Sequence, residues 1–414
     1  NNKYNLFDNI FAQLKGKTKH LIESVKMFVN NRLDKCMVVS KILDIYPEEW
    51  FECLGFKEKP KERTMYRDLE RIGINYKFVV EKYQQLTKNN NLIDLIQFVD
   101  FSSSFFEGNN AELGALGYSR DSQPSKKQLT FGISTVMNGV PSALTVQKGN
   151  VQDKDHMNFM LKIVGKVLEE GSLVIFDCGG NTEDNKKKII SLKLNYLTLK
   201  QRYKGVYKRY IELYKSSKKE IIYINGVKYK SVKVKDENYK YIFHSKNLYK
   251  KLIKTRNKKF QKELKKNDKI IEKVKKGKTI DKFISRIGEI ITKGEIQKTL
   301  CDIKNPYITG LEGFFILESS VDDESYKMLK LYKNKDFAEK LIRNMKEGTE
   351  LRPINRISKE AIIGYMVVVF LTNCIIQLSH LLNNANVDKN LKSLKKSLNC
   401  LSLTTIYDKN VFKF

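Results

Sequence analysis

Three acids sit where chemistry is possible. Asp100 closes the apolar run LIDLIQFVD, and Asp177 closes a second, LVIFD, followed by Cys178, Gly179 and Gly180. Glu339 lies beyond the strand-like run GFFILESS, on a stretch with helical periodicity. Acids at the ends of buried strands stand at a sheet rim, where α/β folds place their sites. Carboxylate oxygens suit a hard cation such as Mg²⁺, which keeps several waters and is shared with substrate phosphates. Two such ions roughly 4 Å apart can clamp the attacking and leaving oxygens of an in-line phosphoryl displacement. Asp94 and Glu107 rival Asp100, Glu183 and Asp184 rival Asp177, and strand-end aspartates often cap helices instead.

A helix is expected from Asp322 to Lys346. At about 100° per residue, Tyr332, Lys335, Glu339 and Lys346 project within about 60° of one another, and Arg343 joins them. Phe337, Ala338, Leu341 and Met345 form the opposite, core face. A carboxylate flanked by cations can hold a metal while the cations grip phosphates. On geometry alone, an ordinary amphipathic helix laced with ion pairs is the slightly better reading.

These residues need elements to position them. Residues 1–90 read as helical, with LFDNIFAQL and RDLERIGINYKFVVEKYQQL apolar at every third or fourth position. Asn30, Asn31 and Arg32, then Pro47 and Pro60, are expected to divide this stretch into short helices, and both a packing role and DNA-end binding are compatible with it. KQLTFGISTVM and SALTVQKGN read as strands joined by the turn Asn138-Gly139-Val140-Pro141. A helix with Asp153 as cap, the strand LVIFD, the helix TEDNKKKIISLK and the strand NYLTLKQ follow. Strands succeeded by strand-helix-strand imply an α/β fold whose mixed sheet has a parallel part. A small helix and a weak strand are expected after Asn383.

The chain carries 77 Lys and Arg against 47 Asp and Glu over 414 residues, a formal charge of +30. Residues 201–300 hold 31 of those cations against 10 acids, with nine tyrosines between Tyr203 and Tyr249. Such an excess points to phosphate backbones as partner. The 41% hydrophobic content excludes a wholly disordered chain. Six scattered cysteines with no C-x-x-C pair argue against a disulfide framework or zinc ribbon, and four scattered histidines against a zinc hydrolase. This composition fits a reducing, cytosolic compartment. The start at Asn1 raises the expectation that residues precede it, and NNKYNLFDNIFAQLKGK has no apolar signal core. Residues 361–378, AIIGYMVVVFLTNCIIQL, carry no charge, but with Thr372, Asn373 and Gln377 they read as a buried core helix rather than a membrane span.

Tyr332-x2-Lys335-x3-Glu339-x6-Lys346 resembles the Y-x2-R-x3-E-x6-K signature of DDE transposases from IS-four-like insertion sequences. Lys335 replaces the arginine and loses its bidentate fork. VDFSSSFFEG resembles the family's first-Asp strand, and GYSRDSQPSKKQLTFGI and GVPSALTVQKGNVQD its next two strands. LVIFDCGGNTEDN, ending at Asn185, resembles the second-Asp segment, and YLTLKQR the strand before an insertion. NNRLDKCMVVSKILDIYPEEWF is similar to the N-terminal helical region of one branch. The resemblance implies a ribonuclease-H-like mixed-sheet core in two parts, 91–200 and 306–382. It also implies a helical N-terminal domain (1–90), a basic insertion (201–305) between the second Asp and the Glu, and a tail (383–414). It further implies Asp100, Asp177 and Glu339 as ligands of two Mg²⁺ ions, Mn²⁺ substituting, and Tyr332, Lys335 and Lys346 as contacts to transposon-end DNA. Arg343 joins these contacts through its place on the same face. The implied activity is cleavage at element ends and transfer to target DNA, by a homodimer in the end complex, in a prokaryotic cytoplasm near the nucleoid. A catalytically inactive or domesticated DNA-binding derivative and a hydrolysis-only nuclease are the alternatives.

Overall fold

Asp100 and Asp177 owe their positions to paired strands of a mixed sheet. The computed structural model describes residues 5–275 and 305–382, save Lys15, Lys17, Pro306 and Pro353. Two compact units emerge, one of Asn1–Thr198 with Leu331–Phe414, the other Leu199–Lys330. The first unit contains β1 (Ile96–Phe105), β2 (Gln128–Thr135), β3 (Pro141–Lys148), β4 (Leu173–Phe176) and β5 (Asn195–Leu199), in spatial order β3-β2-β1-β4-β5. β1, β2 and β3 are antiparallel neighbours, whereas β1, β4 and β5 run parallel. The turn expected at Asn138–Pro141 joins β2 to β3, with Gly139 at φ +79°.

Alternation along the strands sorts side chains to two faces. Val99, Phe101, Val174 and Phe176 pack with α7 (Asp153–Val164) and Ile189 of α8 (Glu183–Ser191). On the other face Leu129, Phe131, Ile133, Leu144 and Val146 join a larger core. That core is shared with the N-terminal helices, α1 (Leu6–Phe11), α2 (Leu21–Leu33), α3 (Val39–Ile45), α4 (Glu48–Cys53), α5 (Glu62–Ile74) and α6 (Tyr76–Asn89). Pro47 and Pro60 precede helices as expected, but α2 runs unbroken through Asn30, Asn31 and Arg32. Asn31 and Arg32 direct their side chains to the Met37 carbonyl instead of breaking the helix.

At the centre lies the uncharged run expected to be a core helix. It forms part of the 24-residue Lys359–Leu382 helix, which is long and apolar enough to cross a membrane, yet 94% of its most apolar stretch is buried. It crosses α5 at two glycines. A Cβ on Gly73 would stand 1.8 Å from the Glu360 carbonyl oxygen, and one on Gly364 1.9 Å from that of Leu69. Only glycine lets the two backbones meet this closely.

The second unit is a meander of β6 (Glu220–Ile224), β7 (Val227–Lys235), β8 (Tyr239–His244) and β9 (Phe314–Ser319), each antiparallel to the next. Asn225 and Gly226, both at positive φ, close the β6–β7 hairpin. α9 (Lys204–Ser216) sends Tyr207, Tyr210 and Tyr214 into the core with Val232, Ile242 and Ile316. α10 (Lys246–Lys275) is the expected long basic helix. The basic residues 276–304 and the helix and strand expected after Asn383 lie outside the described residues.

Candidate active site

The pairing of β1 with β4 aligns Ile96 with Leu173 and Phe98 with Ile175. Two residues further, the same register sets Asp100 beside Asp177. Two residues is one full strand period, so both carboxylates leave the sheet on the same side, opposite the Val99–Phe101 core. Asp177 follows the last residue of β4, and its Oδ1 accepts from the Cys178 amide at 2.7 Å, capping a single 3₁₀ turn. Gly179 in that turn lies against α7, and a Cβ there would be 2.6 Å from Asp153 Oδ2.

The third acid arrives on a helix of unexpected form. The single helix expected over 322–346 is two helices, α11 (Ser325–Lys333) and α12 (Asp336–Arg343), followed by a π turn over Asn344–Gly348. Between them the Lys335 amide bonds to the Tyr332 carbonyl and the Ala338 amide to that of Lys335, three-residue closures that wind the chain tighter than an α-helix. The π turn then unwinds it. A fixed 100° step therefore fails, and Lys346 does not join the face of Tyr332, Lys335 and Glu339.

Lys335 occupies the middle of the acids. Its Nζ is 3.0 Å from Glu339 Oε1, 3.3 Å from Asp100 Oδ1 and 4.0 Å from Asp177 Oδ2. No two of these oxygens can therefore be farther apart than twice the longest of those distances. The lysine side chain is only 6% exposed, against 48% for Asp177 and 49% for Glu339. Burial lowers the affinity of this amine for its proton, but the charges of Asp100, Asp177 and Glu339 more than offset it, and the pKa is raised. Asp100 is also raised, by burial first and then by the neighbouring acids, with Lys335 opposing. Tyr332 donates its phenol to Asp177 Oδ1 at 3.1 Å, and burial followed by that carboxylate raises the phenol pKa.

The rivals have other partners. Asp94 accepts from the Ile96 and Met137 amides, Glu107 pairs with Lys126, and Glu183 with Lys186. Asp184 is exposed in the first turn of α8. Asp153, expected as a cap, is the first residue of α7, makes no capping bond and instead grips Arg120 through both oxygens at 2.5 and 2.6 Å.

The donor set is oxygen-only and formally −3, or −2 with Lys335 counted. By type it suits a hard divalent cation. By spacing it encloses an ammonium, and among the described residues no three His, Cys, Asp or Glu are close enough together to hold a metal ion. A metal at this site would replace the Lys335 ammonium between the acids.

Lys346 is in a different cluster. Its Nζ reaches Asp121 Oδ1 at 2.7 Å, as does Arg352 Nη1 at 2.6 Å, and Arg352 Nη2 meets Glu347 at 3.2 Å. Asp121 is 2% exposed and Lys346 9%. A buried ion pair cannot also present its ammonium to DNA, so the expected phosphate contact by Lys346 is not in place, while Arg343 is exposed. Asp121 lies beside Arg120 in the loop before β2, and no local pattern in the sequence ties it to Lys346. No family model matches the chain, and neither does any curated protein. A cryo-EM structure of piggyBac transposase synaptic complex with hairpin DNA matches over 95% of this chain and 78% of that one, at 12% identity and a TM-score of 0.45, which does not establish a shared family.

Proposed function

We propose that the chain is a DNA transposase of the DDE kind with a ribonuclease-H-like core, cutting the ends of a mobile element and joining them to target DNA. The convergence of Asp100, Asp177 and Glu339 on one point, from two parallel strands and a helix, carries this reading. These three would hold Mg²⁺ or Mn²⁺. Two such ions, when bound, supply stabilisation of the attacking and leaving oxygens in phosphoryl transfer. The sheet register holds Asp100 and Asp177 side by side, and Tyr332 orients Asp177. Glu339, half exposed, is free to adjust. Lys335 balances the acids until a metal does so, which makes it a positioning residue before it is a DNA contact. Arg343 is available to a phosphate. Lys228, Lys230, Lys233 and Lys235, all outward on β7, and the basic α10 give the second unit its affinity for DNA. An IS-four-like origin, a homodimeric end complex and a nucleoid-associated location belong to the same proposal and rest on the signature resemblance.

The deciding assay offers the protein DNA carrying the element's ends, with Mg²⁺ or with EDTA. Cuts at the ends in Mg²⁺ and none in EDTA are expected. DNA binding without cutting in either condition favours the second reading, a non-catalytic DNA-binding derivative. The observation behind that reading is the ammonium lodged between the acids.

Lys335→Met separates the two roles of that ammonium. Without it, three carboxylates confront one another, and the metal-free protein should lose about 1.5 kcal/mol, the low end for charged hydrogen bonds because two of the acids are half exposed. Mg²⁺ or Mn²⁺ should then raise its melting temperature more than that of wild type, because ions that bind only the folded state stabilise it. An equal response in both proteins would show that the ammonium does not compete with the metal.

A further inference from the structure

A second cluster of cations is built from different elements of the first unit and serves none of the chemistry above. Arg32, Cys36, Glu350, Arg352, Arg356 and Tyr365 line a cavity of about 110 Å³, far above the roughly 10–15 Å³ that admits a single water. Arg32 is 5% exposed. Its guanidinium donates to the carbonyls of Cys36 at 3.3 Å and Met37 at 3.0 Å and lies 5.0 Å from the Tyr365 ring centre. Arg356 lies 5.2 Å from the ring centre of Tyr66 and donates to the Asn355 carbonyl at 2.8 Å. The Nε of Arg356 is buried with no acceptor.

Carbonyls and ring faces satisfy some of these N–H groups but leave the charge uncompensated. Among the described residues, neither Arg32 nor Arg356 has a carboxylate within ion-pair distance, and Arg352 already spends its two terminal nitrogens on Asp121 and Glu347. Glu350 is the one acid in the wall. It is exposed and forms no ion pair with either arginine. Burial lowers the Arg356 pKa and the charge of Arg32 adds to that, with Tyr66 and Tyr365 opposing. Two desolvated like charges side by side are unfavourable unless an anion joins them. The planar guanidinium fork matches a tetrahedral oxyanion, whose several oxygens can accept from both arginines at once. The cavity is of a size for one such group rather than for a whole nucleotide.

We infer that this recess is a phosphate-binding site in which Arg32 and Arg356 hold one phosphate group. The group is either inorganic phosphate or a phosphodiester of bound DNA, and the site stands independently of the catalytic reading.

The test uses the full chain and inorganic phosphate, with chloride at equal ionic strength as control. Phosphate should raise the melting temperature of wild type beyond the chloride control. Arg356→Met, which keeps an apolar stem against Tyr66, should weaken phosphate binding by roughly 10- to 100-fold and remove that extra rise. Glu350→Gln should enlarge the rise, because it removes the one repelling charge without touching the arginines. A wild-type response equal to that in chloride, or an undiminished response in Arg356→Met, overturns the site. Duplex DNA distinguishes the sources. If phosphate competes with a short duplex for wild type but not for Arg356→Met, the group is a backbone phosphodiester. If Arg356→Met loses the phosphate response and binds duplex as wild type does, it is free phosphate.

Discussion

Under the function proposed above, Glu339→Gln should abolish metal-dependent cleavage while leaving the fold and DNA binding nearly intact. The substitution is isosteric and removes one negative charge from a set of three. Glu339 is 49% exposed, and its bond to Lys335 is an i,i+4 pair, so the stability at stake is within about 1 kcal/mol. The catalytic penalty is of another order, because a group that stabilises transition-state charge is typically worth about 100- to 1,000-fold in rate. Cleavage of end-containing DNA, corrected for folded fraction, is the measurement. Near-normal cleavage by folded Glu339→Gln protein would falsify the site as drawn.

Asp121→Ala should have the largest effect on stability. Its carboxylate is the common partner of Lys346 and Arg352, and all three side chains are mostly enclosed, at 2%, 9% and 28% exposure. Removing one partner of a buried pair strands the others, a loss of about 3–5 kcal/mol, or roughly 5–10 °C in melting temperature. Burial already lowers the Lys346 pKa, with Asp121 opposing, so without Asp121 the amine is driven further toward its neutral form. Adding Lys346→Met should recover part of the loss by removing the stranded charge. A loss below about 1 kcal/mol would place the cluster with solvated surface pairs instead.

What could be read from the sequence was local. LVIFD and QFVD announce themselves as buried strands ended by an acid, and Asn138-Gly139 announces a hairpin, because periodicity and turn chemistry act over a few residues. Helical signals stopped at the same range. Position 335 begins as a residue on a helix face and ends in a tight turn, and the ring contact just beyond it, Phe337 with Phe98 of β1, reaches far along the chain. The pairing of Asp121 with Lys346 spans more than half the chain and has no local trace. Composition does not sort the tyrosine-rich block, where Tyr207, Tyr210 and Tyr214 are core while Tyr203, Tyr223 and Tyr249 are exposed.

The glycine crossing of Gly73 with Gly364 sets an order on the protein's synthesis. The ribosome releases α2, α5, α6 and β3 long before the helix on which they pack. At about 5–20 residues per second, tens of seconds separate the two glycines. Through that interval Leu69, Ile72, Val80 and Tyr83 lack the partner that buries them in the finished fold. The nascent chain must therefore be held soluble by its own charge or by a chaperone until residues 359–382 emerge. A message truncated before that helix would yield a product without its centre, prone to aggregate rather than to fold as a smaller protein.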